Sequence, residues 1–340
     1  MVFCALAFKP KSMDTLLLNR EDVVTLLKLD ECIVAVEEAF KLHAEGKALP
    51  PKVLGIHTPK GGFHVKAGVL NLNKTYFAAK INSNFQYNMS EQGLPLIQGV
   101  IVVCDGENGQ LLALMDSIEI TILRTGAATA IAAKYLALND AQTITICGCG
   151  NQGKVTLKAL MKVRHIKRVY VFDIDKSKAE KFVDELADEL RVSIKAVNDL
   201  GEAVGNTKIC VTCTPSKQAF FKLKDVMSGT FIAAVGADRE DKQELEPKLL
   251  SAGKLVTDLT EQCGNIGELH HALKGGLMTI ADVHAELGEI ISGKKPGRTS
   301  KEEIIIFDST GTALQDVAAA AIVYEKAVRK NIGVKMDFAI

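Results

Sequence analysis

The chain has 340 residues, enough for two domains with real cores, and its 41 Lys plus Arg balance 41 Asp plus Glu. That balance gives no global field to attract nucleic acid or an anionic membrane, and no apolar run approaches the ~20 residues of a membrane helix. Residues 1–10 are mildly apolar but lack a basic start and a small-residue cleavage site, so no signal peptide is read there.

The first third of the chain predicts a helix over residues 21–46, then Pro50-Pro51, then strands over 63–69, 76–82, 99–105 and 110–116. The run Asp105-Gly106-Glu107-Asn108-Gly109 joins the last two as a hairpin. This is a mostly antiparallel sheet with one long helix. From residue 143 the pattern changes: strand-like runs at 143–147, 168–173, 193–197, 208–214, 230–236, 254–258 and 303–308 alternate with helical stretches. An alanine-rich helix over 312–330 then returns to pack on the first part. The expected fold class is therefore α/β: a Rossmann-type doubly wound parallel sheet over residues 123–311, inserted into a second α+β substrate domain made from 1–122 and 312–340.

The most informative motif is Thr143-Ile144-Thr145-Ile146-Cys147-Gly148-Cys149-Gly150-Asn151-Gln152-Gly153. A β-branched strand leads into it and a helical pattern follows, which is the setting of a dinucleotide-binding turn. Gly148 allows the tight turn, Gly150 lets the backbone approach a pyrophosphate, and Gly153 permits close helix–strand packing. Asn151 and Gln152 open a helix whose N-terminus favours phosphate. The next strand ends on Asp173, 20 residues past Gly153. A carboxylate there accepts ribose hydroxyls and repels a 2′-phosphate, so NAD is expected over NADP. Strand ends at Thr214-Pro215-Ser216, Gly236-Ala237-Asp238 and Ser309-Thr310-Gly311 converge on the same crevice. The eight cysteines lie mostly in apolar runs and read as reduced core residues of a cytoplasmic protein. Cys210 and Cys213 have redox or zinc spacing, but they lie along a strand without a partner pair. The seven histidines show no metal-ligand spacing, so no metal is expected.

These segments together resemble the ornithine cyclodeaminase/mu-crystallin family over nearly the whole chain. The resemblance is carried by Leu112-Ala-Leu-Met-Asp116, Ile120-Thr-Ile-Leu-Arg124-Thr125-Gly-Ala-Ala-Thr-Ala130 and the glycine turn. It continues through Thr212-Cys-Thr-Pro-Ser216, Ala234-Val-Gly-Ala-Asp238, Ala285-Glu-Leu-Gly-Glu289, Gly293-Lys-Lys-Pro-Gly-Arg298 and Phe307-Asp-Ser-Thr-Gly311. The resemblance implies a homodimer joined through its substrate domains. It also implies hydride transfer between nicotinamide and the α-carbon of a small amino or imino acid. Lys80 matches the family lysine on the substrate carboxylate. Arg124 matches the arginine between that carboxylate and the cofactor phosphates, with Thr125 adding a hydroxyl. Asp238 matches the proton-exchanging aspartate, Lys242 a cofactor-contacting lysine, and Ser309 with Thr310 the position beside the nicotinamide. Thr214 and Gly236 fall along the cofactor.

Two departures bear on substrate choice. A family Pro-x-Arg or Pro-Arg that grips the carboxylate is replaced by Pro50-Pro51-Lys52, which keeps the charge and loses the planar grip. The family Met-Pro-Ala becomes Phe63-His64-Val65-Lys66-Ala67, where His64 and Lys66 share one strand face. The expected activity is NADH-dependent reduction of a cyclic imino acid such as pyrroline-2-carboxylate to proline, with Lys52, Lys80 and Arg124 on the carboxylate. Ornithine cyclodeaminase, alanine dehydrogenase and a non-catalytic crystallin-like binding protein are the alternatives.

Overall fold

The structure is a computed structural model that describes residues 14–85 and 87–338. The expectation about residues 1–10, and Cys4 with it, falls outside the described residues.

The first part builds β1 (Thr15–Leu18), β2 (Ala48–Thr58), β3 (Gly61–Asn71), β4 (Thr75–Asn84), β5 (Ile97–Asp105) and β6 (Leu111–Asp116). The second contributes β7 (Thr143–Cys147), β8 (Arg168–Phe172), β9 (Ser193–Ala196), β10 (Ile209–Thr212), β12 (Phe231–Ala234), β14 (Lys254–Thr257), β15 (Ala285–Glu286) and β16 (Ile305–Asp308). Beside it, β11 (Lys217–Phe221) pairs with β13 (Gln243–Leu245), and the chain closes with β17 (Val334–Met336).

The first sheet has the order β17-β1-β6-β5-β4-β3-β2 and is antiparallel except where β1 joins β6. Its inner face packs on the carboxy-terminal helix Ala313–Lys330 and buries Leu70, Tyr76, Ala78, Ile101, Val103 and Met115. Each large side chain sealed there contributes about 1.5–3 kcal/mol. Alanines keep that helix slim, and Gly68 lets it approach β3: a Cβ at Gly68 would lie 3.3 Å from the Ala313 side chain. Thr312 caps the helix by accepting the Leu314 N–H.

The second sheet is wholly parallel, in the order β15-β14-β16-β12-β10-β7-β8-β9. The chain leaves β7 in one direction and returns to β10 on its other side, so the strand order reverses between them. A crevice opens at that reversal beyond the carboxyl ends. We propose the division into 1–122 with 312–340 and 123–311. The helix Ile118–Leu136 runs unbroken through that junction and packs on both parts.

Three local expectations are corrected. The helix expected over 21–46 is two helices, Arg20–Leu26 and Leu29–Ala44, because Asn19 forms a capping box on the first and Lys28 breaks to extended backbone before the second. Residues 48–58, marked in the sequence only by Pro50-Pro51, form β2; it is an edge strand, where proline is tolerated because one side of the ladder is empty. Arg124, which the family resemblance sets at the start of a small-residue helix, lies in the second turn of Ile118–Leu136. Cys210 lies on β10, and the described cysteines are free thiols.

Candidate active site

The three glycines of the turn have three separate physical reasons. Gly148 has φ +103°, and a Cβ there would lie 2.7 Å from the Cys213 carbonyl oxygen. A Cβ on Gly153 would come within 2.1 Å of the Gly148 carbonyl oxygen, so helix Asn151–Val163 sits against the turn only because Gly153 is bare. Gly150 caps that helix and faces open space. An open crevice at the first N–H groups of a 13-residue helix fits a pyrophosphate. Gln152 fastens the helix start across the crevice by donating to the Ile122 carbonyl at 3.4 Å. Asp173 follows β8; its two oxygens accept from the Cys149 N–H at 2.9 Å and the Asp175 N–H at 3.0 Å. The acid is thus fixed by the turn itself, with lone pairs left for a ribose.

On the other wall, Thr214 donates both its N–H (2.6 Å) and its hydroxyl (2.7 Å) to Glu244 Oε1, and the Gly236 N–H donates to Oε2 at 2.8 Å. Ser309 and Thr310 donate their hydroxyls to the two oxygens of Asp258 at 3.2 and 3.1 Å, and the Gly311 N–H adds a bond of 2.6 Å. The loops expected along a cofactor are held by buried acids from behind.

Where the two sheets meet, the structure gathers cations. Cross-strand register places Lys66 opposite Lys80 and Lys80 opposite Ile101, all on the inner face. Lys80 Nζ lies 2.9 and 2.8 Å from the two oxygens of Asp316, which projects from the carboxy-terminal helix. Arg124 Nε reaches the same carboxylate at 3.1 Å, and its Nη1 donates to Gln315 Oε1 at 3.0 Å. Thr125 donates to the Thr121 carbonyl within its helix. Lys66 donates to the Thr310 and Gly311 carbonyls at 2.8 and 2.7 Å. Lys66, Lys80, Arg124 and Asp316 are all buried. Lys52 is not brought to this cluster: it is exposed and pairs with Ala67, so its register turns it to the opposite face from Lys66 and Lys80.

Asp238 stands at the cleft with its carboxylate 2.6 Å from Lys242 Nζ, reached by solvent yet ringed by protein. Lys242 therefore holds Asp238, and its backbone carbonyl bonds to His271 at 2.7 Å. His64 shares the inner face of β3 with Lys66, and its ring centroid lies 6.2 Å from that of His57.

A profile of the ornithine cyclodeaminase/mu-crystallin family matches residues 13–331. The chain belongs to that family. It is 42% identical over 327 residues to the alanine dehydrogenase of Archaeoglobus fulgidus, covering 96% of this chain and 99% of that one. An archaeal alanine dehydrogenase dimer solved with bound NAD superposes with a TM-score of 0.91 at 40% identity, over 96% of this chain and 99% of that one. The Δ1-pyrroline-2-carboxylate reductase of Thermococcus litoralis, solved with NADH and L-proline, gives a TM-score of 0.89 at 33% identity over 95% of this chain and all of that one. No helix among the described residues is long and apolar enough to cross a membrane.

Sequence reasoning missed Asp316, Asp258, Gln315 and Glu244. Asp316 left one signal, an acid in the first turn of a helix and directly before its apolar run Val317-Ala-Ala-Ala-Ala-Ile-Val323. The electrostatics follow from the crowding. Burial, then Arg124, pushes the Lys80 ammonium down to about 7, against the pull of Asp316. Burial and then Arg124 also push Lys66 down. Burial pushes the Asp316 carboxyl up, but Lys80 and Arg124 outweigh it and hold the group below its ordinary value. For Asp238 the dense surroundings push up, while Lys242 first, and then Lys66, outweigh them and keep it ionised. Burial holds His64 below its ordinary value.

The Lys80 shift has a kinetic consequence. Below about 7 Lys80 is a cation in the free protein, and above that value it is a neutral amine; a substrate carboxylate that uses Lys80 would need the cation. The expected kcat/KM therefore falls as pH rises through 7 to 9. Lys80→Arg should remove that limb, because a guanidinium stays charged. A pH profile with the same limb in both proteins assigns it to another group.

Proposed function

We propose that the protein is an NAD(H)-dependent oxidoreductase acting at the α-carbon of a small amino or imino acid, with reduction of pyrroline-2-carboxylate to proline as the first reading. The observation that carries it is the charge of the site: Lys66, Lys80 and Arg124 are buried around the single carboxylate of Asp316, and Asp238 stands ionised at the other side of the cleft. Surplus positive charge on one side and a carboxylate on the other are complementary to an iminium carboxylate.

In this reading Lys80 and Arg124 hold the substrate carboxylate, with Lys66 donating the N–H left over from its two backbone bonds. Asp238 stabilises the protonated imine, which is the electrophilic form, and exchanges its proton with water at the open side of the cleft. His64, kept neutral, lines the space for the substrate ring. The glycine turn, Asn151, Gln152 and Asp173 hold the dinucleotide; when bound, its reduced nicotinamide supplies hydride to the imine carbon. The Asp173 side chain, beside the ribose, selects NAD over NADP. Fixing both reactants in one geometry is the larger part of such catalysis. A reducing, cytoplasmic setting suits the free thiols.

A second reading, alanine dehydrogenase, is favoured by the 42% identity to the Archaeoglobus fulgidus protein. The assay that separates them follows NADH oxidation with pyrroline-2-carboxylate, with pyruvate plus ammonia, and with each component alone. The first reading expects turnover of the cyclic imine without ammonia, and a loss of about 10²–10³-fold in kcat for Asp238→Asn with NADH affinity kept. Turnover only with pyruvate plus ammonia selects the second reading. Full activity of Asp238→Asn removes the assigned role from that residue.

We also propose a homodimer joined through the outer face of the first sheet. Register puts Leu54, Val65, Ile81 and Val100 in one outward row and Ile56 with Phe63 in the next, and Leu54, Ile56, Phe63, Ile81 and Val100 are all exposed. Monomers rarely leave so continuous an apolar face uncovered. Light scattering should find a dimer for the wild type and a monomer for Ile81→Asp; a monomeric wild type contradicts the assignment.

A further inference from the structure

Glu244 sits on β13, outside the main parallel sheet, and is wholly buried. Its hydrogen-bond partners are all neutral. Oε1 accepts from the Thr214 N–H at 2.6 Å and the Thr214 hydroxyl at 2.7 Å; Oε2 accepts from the Thr212 hydroxyl and the Gly236 N–H, both at 2.8 Å. Four donors converge on one side chain, and only an ionised carboxylate can accept all four while presenting no donor of its own. The fit is close. A Cβ on Gly236 would lie 2.4 Å from the Thr214 carbonyl oxygen and 2.5 Å from Glu244 Cδ. Glu244 is itself anchored from behind: Glu268 accepts its N–H at 2.7 Å and the Leu245 N–H at 3.1 Å.

The two segments it joins have different duties. The end of β10 carries Thr214 along the dinucleotide crevice. The end of β12 carries Gly236 and, two residues on, Asp238. The same β12–β13 connection is closed from its other end by the Lys242–Asp238 ion pair. Asp238 is therefore held between two ties, one through Gly236 to Glu244 and one through Lys242.

We propose that Glu244 is a positioning residue of the hydride-transfer site: its carboxylate sets the spacing between the Thr214 loop on the cofactor side and the Gly236–Asp238 loop that carries the proton-exchanging acid. The half concerning Asp238 rests on the function proposed above; the half concerning the cofactor loop does not. Burying an acid among neutral donors is expensive unless each bond is made. A glutamine in its place turns an NH2 group toward two of the four donors, so one loop loses its tie whichever way the amide is turned.

The test is Glu244→Gln, measured by fluorescence titration with NADH for both Kd and binding stoichiometry, and by steady-state kinetics with the imino acid. The expected result is full stoichiometry with Kd for NADH raised at least 5-fold and kcat per binding site lowered at least 10-fold. A merely structural role would instead lower the binding-competent fraction and leave Kd and kcat per site at wild-type values; that result overturns the proposal. If Glu244→Gln yields no folded protein, Thr212→Val removes one donor and keeps the other three. It should move Kd or kcat per site 2- to 5-fold in the same direction, and wild-type values there also overturn the proposal. Should the wild type turn over neither imino acid nor pyruvate with ammonia, the substrate reading fails alone: the NADH titration still decides whether Glu244 fixes the cofactor loop.

Discussion

The Asp316 carboxylate is the point on which the site depends. Lys80 comes from the first sheet, Arg124 from the helix that joins the two parts of the chain, and Asp316 from the carboxy-terminal helix. Left to themselves, two buried cations this close would repel and one would lose its proton. One carboxylate between them keeps them together and partly neutralised, at distances of 2.8 to 3.1 Å. It does not neutralise both, and Lys66 adds a third positive charge beside them. The protein thus stores an unsatisfied demand for an anion at the junction of its two sheets. Breaking such a buried pair is far more damaging than its net contribution to stability suggests, because the surviving charge is stranded.

The fold explains why that demand sits where a cofactor can reach it. The carboxyl ends of a parallel sheet collect loops, and strand-order reversal between β7 and β10 opens a crevice among them. Acids set behind the loops then fix them without entering the crevice: Asp258 under Ser309, Thr310 and Gly311, and Glu244 under Thr214 and Gly236. Lys66 ties the first sheet to the Thr310–Gly311 turn by donating to both of its carbonyls. Gly311 belongs to the same logic. Its φ is +75°, and a Cβ there would lie 2.2 Å from Arg124 Nη1.

The glycine turn was legible in the sequence because each glycine answers a local need, and strand, turn, helix and acid follow one another within about thirty residues. Lys80, Arg124 and Asp238 enter as site candidates only through resemblance to a family, since a single charged residue in a strand or helix has no local signature. What escaped were the partners. Asp316 is 236 residues from Lys80 and 192 from Arg124, Asp258 is 53 from Gly311, and Glu244 is 30 from Thr214. No periodicity links such pairs; only the folded sheet does. Lys52 failed for the opposite reason. Its charge suited the role, but a bulge in β2 between Leu49 and Lys52 sets the register that turns it to the outer face.

The most direct test of the account is a crystal structure of the protein with NADH and a bound imino-acid product such as L-proline. The expected product carboxylate lies within about 3 Å of both Lys80 Nζ and the Arg124 guanidinium, with its nitrogen toward Asp238. A product bound the other way round, with its carboxylate at Lys242 or at Lys52 and no contact to Lys80 or Arg124, would contradict it.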